Sequence, residues 1–148
     1  MSVDLGILLA LGYQSFVEQL RAHLASRGFD DLGRSDGFVL RGLGRTAMTT
    51  SQLASVLHIS KQGAAQIVND MRSRGYVEGR PDPADGRARL LHLAPRGREA
   101  LAEARAFHRR YEDELTDRVG APAVTALRAA LTAIAGGEDR LEAGTPYV

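Results

Sequence analysis

The 148-residue chain contains no cysteine. Disulfides, thiolate metal sites and thiol-based redox sensing by this chain are therefore excluded. No stretch approaches the roughly 18 uninterrupted apolar residues of a membrane span. The opening Met1-Ser2-Val3-Asp4 lacks the basic n-region of a secretory signal. The expectation is a cytoplasmic protein with no membrane partner. Catalytic signatures are missing too. There is no G-x-S-x-G, no P-loop and no cysteine nucleophile, and the four histidines at 23, 58, 92 and 108 show no metal-ligand spacing. Gly42-Leu43-Gly44 lacks the preceding strand and the third glycine of a dinucleotide loop. The repeated Ser, Thr and Asp residues are accounted for by caps and turns. The chain reads as a non-enzyme without a cofactor. Lysine is almost absent, since Lys61 is the one lysine among nineteen basic residues. Arginine suits phosphate forks and narrow minor grooves, but genome composition gives the same bias, so this carries little weight.

Hydrophobic residues make up 44% of the chain, with no low-complexity run, so it reads as folded: one domain, or one domain plus an oligomerisation element. A net charge of +1 says little, whereas its distribution says more. Between residues 58 and 98 eight cations face four anions, giving +4. Residues 1–33 hold two cations and four anions, giving −2. The positive field lies over the middle of the chain, where a polyanion is met.

Residues 3–27 read as a long helix. Leu5, Leu9, Tyr13, Phe16, Leu20 and Leu24 recur at helical spacing, and Arg27-Gly28 close it. Its early part is too apolar for a free surface, which suggests packing on a second copy; an ordinary core helix fits equally well. His23 reads as a boundary residue. Ser35 or Asp36 starts a short helix with Phe38, Val39 and Leu43 inward, stopped by Gly44. Pro95 opens a second long helix to about Val119, striped by Leu101, Ala104, His108, Tyr111 and Leu115, and broken by Gly120. A last helix follows with Pro122 in its first turn, Val124, Leu127, Leu131 and Ile134 inward, and Gly136-Gly137 at its end. The tail from Glu138 reads as frayed, with Leu141 and Tyr147 available to pack on a partner.

The middle stretch carries the chemistry. Thr49 and Gln52 have the spacing of a capping box. A helix through Leu53, Ala54, Val56 and Leu57 leads to a turn at His58-Ile59, with Ile59 plugging it, and Ser60 caps the next helix. Small Ala54 sits at the crossing, so the pair reads as a helix-turn-helix. On the second helix Ala64, Ile67, Val68 and Met71 form an apolar stripe, and Gly75 ends it. Opposite lie Gln62, Gln66, Asn69 and Ser73. Uncharged amides donate and accept at once, which suits the N6/N7 edge of adenine in the major groove. An amide-rich surface helix is the plain alternative. Tyr76–Arg80 reads as a strand, Pro81–Gly86 as a turn, and Arg87–Leu93 as the returning strand. Its basic tip suits a groove, with Arg87 reaching into it and Asp85 holding Arg87; the plain alternative is that the pair staples the loop.

These residues carry a resemblance. Ser51-Gln52-Leu53-Ala54, Ile59 through Val68, Arg74-Gly75-Tyr76-Val77-Glu78, Arg80 through Arg89, and Leu93-Ala94-Pro95-Arg96-Gly97 resemble the MarR family of bacterial transcriptional regulators. The likeness covers about residues 35–119, and Asp82-Pro83-x-Asp85-x-Arg87 is its most specific piece. It implies a mainly α fold with a small β-wing: a winged helix-turn-helix over 34–94, flanked by dimerisation helices at 1–33 and 95–148. It implies a homodimer that binds a pseudo-palindromic DNA operator, most simply as a repressor. Carried over by position, Ser60, Lys61, Gln62, Gln66 and Asn69 face DNA from the recognition helix, and Asp85, Arg87 and Arg89 from the wing. It further implies a small aromatic or anionic effector in a crevice, for which Tyr13, Phe38, His108 and Tyr111 are candidates. Two departures stand out. Ala94 replaces the usual hydroxyl cap before Pro95, and Gly63 sits in the first turn of the recognition helix. The competing reading is a winged-helix module that docks a protein instead of DNA.

Overall fold

A computed structural model describes residues 2–136. Glycine 137, Leu141, Tyr147 and the tail from Glu138 lie outside the described residues. The order is α1 (Leu5–Ser26), α2 (Asp36–Arg45), α3 (Thr50–Leu57), α4 (Lys61–Ser73), β1 (Val77–Pro81), β2 (Arg89–Leu93), α5 (Pro95–Val119) and α6 (Ala121–Ile134). The fold is mainly helical with one small antiparallel hairpin, in the register Val77↔Leu93 to Pro81↔Arg89. A single bridge from Met48 to Leu91 adds one rung of a third strand. No helix among the described residues is long and apolar enough to cross a membrane.

Local chemistry sets the central boundaries. Thr49 and Gln52 form the reciprocal capping box. The Ser60 hydroxyl accepts the Gly63 N–H at 3.0 Å. At the other end of α4, Gly75 adopts a left-handed φ of 82°. The N–H of Tyr76 then reaches the Met71 carbonyl at 2.9 Å, and that of Gly75 reaches Arg72 at 3.0 Å, the Schellman pattern that satisfies terminal carbonyls. The turn after α3 is built the same way with a less suitable residue. His58 sits at φ 50°, and Ile59 N–H returns to Ala54 O at 3.1 Å. Backbone bonds close this turn. Ile59 does not plug it, since its side chain is 39% exposed.

One core joins the central elements. Val39, Leu40 and Leu43 of α2, Leu53 and Leu57 of α3, and Val68 and Met71 of α4 meet Tyr76, Val77, Leu91, Leu93, Ala100 and Leu101. Several expectations are corrected here. On α5 the buried side chains include Ala100 and Phe107, while His108 is exposed. Leu101 is buried and Ala104, Tyr111 and Leu115 are half-buried as the spacing suggests, but Phe107 takes the buried place expected of His108, with Phe16 5.6 Å away centroid to centroid. On α6 only Val124 is buried; Leu127, Leu131 and Ile134 are exposed, because nothing among the described residues covers that face. Ser35 makes no side-chain cap, and the Asp36 carboxylate instead accepts the Gly33 N–H at 2.7 Å. Gly44 does not stop α2, which runs on to Arg45. His23 is a half-buried boundary residue as read, and its ring meets Glu103 at 3.0 Å and Arg110 at 3.2 Å, joining α1 to α5. The returning strand is shorter than the pattern suggested, because Arg87 and Ala88 belong to the turn, and the first strand is shifted by one residue to include Pro81.

Candidate nucleic-acid interface

Helix α4 turns its apolar side inward, with Ala64 and Met71 fully buried and Val68 nearly so. That leaves Gln62, Gln66 and Asn69 exposed on the far side, with Ser60 and Lys61 exposed at the N-terminal end. Of the first four N–H groups, those of Gly63 and Ala64 are bonded to Ser60, while those of Lys61 and Gln62 have no intrahelical acceptor and lie at the positive end of the helix dipole. Gly63 has a local reason: a Cβ there would lie 3.2 Å from the Ser60 hydroxyl, crowding the cap. The glycine that departs from the family pattern thus leaves room for the Ser60 cap.

The wing is a compact turn rather than an open loop. Asp82 accepts the Ala84 N–H at 2.9 Å, and Asp85 Oδ1 accepts the Arg87 backbone N–H at 3.0 Å. Asp85 thus holds Arg87 by its main chain, not by its guanidinium. The Arg87 side chain is exposed and has no hydrogen bond or ion pair among the described residues. Arg89 behaves differently and folds back to the Gly79 carbonyl at 3.3 Å. Arg72, which the amide pattern did not single out, joins it: the site a Cβ would take on Gly79 lies 3.4 Å from Arg89 and 3.9 Å from Arg72. The absent side chain at Gly79 lets two guanidinium groups converge between α4 and the hairpin. The charge sum over 58–98 was the available signal for this.

The four candidate crevice residues separate. Tyr13 is exposed on α1, and Phe38 is half-buried against the core. His108 and Tyr111 do meet, around Phe16, at 5.1 and 4.9 Å. Partial burial and the Arg41 cation hold the His108 imidazole below its ordinary value. A concavity of about 370 Å³ lies elsewhere, between the end of α2, the hairpin and α5, lined by Leu43, Leu93, Leu101, Arg80, His92, Arg98 and Arg105 among others. None of the four candidates lines it. Arg80 is paired with Glu78, and Arg98 donates to the Leu93 carbonyl at 2.8 Å. Arg98 and Arg105 have no carboxylate partner among the described residues.

A helix-turn-helix with an exposed amide face, flanked by a two-stranded wing, defines the class: a DNA-binding transcriptional regulator of the winged helix-turn-helix type. Comparison with known proteins narrows it. The MarR family model matches residues 30–88. The solved structure of the transcriptional repressor CouR, bound to a 23-mer DNA duplex, is 26% identical with a TM-score of 0.70, covering 89% of this chain and 92% of that one. FabT of Streptococcus pneumoniae, in complex with DNA, is 20% identical with a TM-score of 0.72, over 87% and 90%. Wild-type MarR from E. coli in its apo form is 22% identical with a TM-score of 0.65, over 90% and 98%. No curated protein sequence matches significantly. Over residues 30–88 the chain is similar to the MarR family, and it shares its fold with these solved regulators.

Proposed function

We propose that the chain works as a homodimeric repressor in the cytoplasm that reads a pseudo-palindromic operator. Residues 34–94 supply the DNA-binding unit, and 1–33 with 95–148 supply the dimer contact. The observation that carries this reading is the pairing of an exposed amide row, Gln62, Gln66 and Asn69, with an exposed Arg87 on the neighbouring wing whose side chain has no partner among the described residues. Lys61, Arg72 and Arg89 position the protein on phosphates, the amides read base edges, and Arg87 enters the minor groove. The exposed apolar sides of α1 and α6 support the dimer.

A small organic anion releases the operator in this reading. Its place is the concavity bearing Arg98, Arg105 and His92 over a floor of Leu43, Leu93 and Leu101. The aromatic candidates Tyr13, Phe38, His108 and Tyr111 lie outside this concavity. Because the concavity touches both α5 and the hairpin, an anion there acts by favouring one wing angle over another, which requires unequal affinity for the two states.

The test is a gel-shift titration at several salt concentrations. Arg87→Ala is expected to weaken operator binding about tenfold and to lower the salt slope by about one. Unchanged affinity and slope would remove the wing from the interface. Binding by the natural chain that is indifferent to salt would favour a protein partner over DNA.

A further inference from the structure

The densest polar cluster outside the amide face and wing sits where α4 ends. Tyr76 is 0% exposed and gives its hydroxyl to the Asp31 carboxylate. The Arg96 guanidinium lies over the Tyr76 ring, 4.3 Å from its centroid. It donates to both Asp31 carboxylate oxygens at 3.3 Å, to the Arg74 carbonyl at 2.5 Å and to the Gly28 carbonyl at 3.2 Å. Arg74 in turn reaches Asp36 at 3.0 Å, Asp70 at 2.9 Å and the Asp31 carbonyl. The backbone is equally close. Ala94 N–H bonds the Tyr76 carbonyl at 3.0 Å, and a Cβ on Gly97 would collide with that carbonyl oxygen. Four segments therefore meet here: the loop after α1, the start of α2, the end of α4 and the start of α5.

We infer that Asp31, Tyr76 and Arg96 are positioning residues that fix the angle of α4 against α1 and α5, and thereby set the separation of half-sites the dimer accepts. This rests on the dimeric operator reading above. The lever argument is direct. A 13-residue helix is about 20 Å long at a rise of about 1.5 Å per residue. Pinned at its C-terminus, a tilt of about 10° moves its N-terminal end by about 3 Å, close to the roughly 3.4 Å between successive base pairs. Small loosening at the cluster thus becomes a change of spacing at the DNA. The planar guanidinium suits this role, because it stacks on the ring and forks onto the carboxylate in one geometry, which a lysine ammonium does not reproduce. None of these residues touches DNA; they act through α4.

The experiment uses the full chain on duplexes whose two half-sites are separated by the preferred distance or by one or two base pairs more or fewer, with a single half-site duplex as control. Arg96→Lys and Asp31→Asn are expected to flatten the preference for the best spacing by about fivefold or more, while single half-site affinity stays within about twofold. Asp31→Glu, which keeps the carboxylate, is expected to restore the preference. Should Arg96→Lys fail to fold, Tyr76→Phe, which removes a single oxygen, carries the same expectation. Equal loss on every duplex with the spacing preference intact, or no change at all, overturns the inference. If the natural chain itself shows no preferred spacing, the dimeric operator reading fails first and the inference falls with it.

Discussion

At the residue scale the interface depends on side chains that stay available. Gln62, Gln66 and Asn69 are exposed while the opposite side of the same helix is buried, so their donors and acceptors point to solvent or to a base edge. Gln66→Ala is expected to cost about 1–3 kcal/mol of discrimination between the preferred site and a scrambled duplex. Competition binding on both duplexes checks it, and equal loss on each would mean that Gln66 does not read bases. Asp31 makes a second residue-level expectation. Burial acts to raise its pKa, but the Tyr76 hydroxyl bond and the Arg96 charge outweigh that, and the net direction is below the ordinary 3.8. A depressed folded pKa contributes stability that is present above the unfolded value and lost as pH falls through the folded one. Thermal melts should therefore find Asp31→Asn less stable than the natural chain at neutral pH, with the gap closing once the pH drops below about 4. A constant gap across that range would deny Asp31 this role.

At the element scale, helix ends carry separable energies. Ser60→Ala removes the hydroxyl that holds the Gly63 N–H, and about 1 kcal/mol of stability should go with it. α5 offers the converse. Its N-cap is Ala94, with no side-chain cap, so Ala94→Ser should raise stability by about 0.5–1 kcal/mol in urea unfolding; a lower midpoint would show that the buried position rejects the hydroxyl. These ends were legible because caps are local chemistry: Thr49-Gln52, Ser60 and Gly75 each act within a few residues. The face of α5 was less legible. Phe107 and His108 fit helical spacing equally well and both rings meet Phe16 on α1, at 5.6 and 5.1 Å, so only the packing of the neighbouring elements decides that Phe107 is the buried one. The His58-Ile59 turn was placed but its closure was misread, since a left-handed histidine leaves no signal in the pattern.

For the whole molecule, the exposed apolar side chains gather on the outer helices. Leu5, Ile7, Leu8 and Leu11 of α1 and Leu127, Leu131 and Ile134 of α6 are all more than 40% exposed. Sequence periodicity reads Leu127, Leu131 and Ile134 as inward because it registers an apolar side without saying which chain covers it, whereas the apolar start of α1 reads as packing on a second copy. Replacing Leu8 and Leu131 together by Glu should shift the sedimentation profile at micromolar concentration from dimer to monomer, while helix content by circular dichroism is kept. A double variant that sediments like the natural chain would place the dimer contact elsewhere. The Asp31–Tyr76–Arg96 cluster was illegible for a related reason: its members are 45 and 65 residues from Asp31, and no local spacing joins them.

The most direct measurement is selection of bound duplexes from a random pool by the full chain. The expected enrichment is a pair of inverted half-sites centred about one helical turn apart, roughly 10 base pairs, with an A·T-rich flank where Arg87 enters. A single unpaired motif would contradict the two-fold reading of the operator, and a pool that stays random would contradict sequence-specific DNA recognition itself.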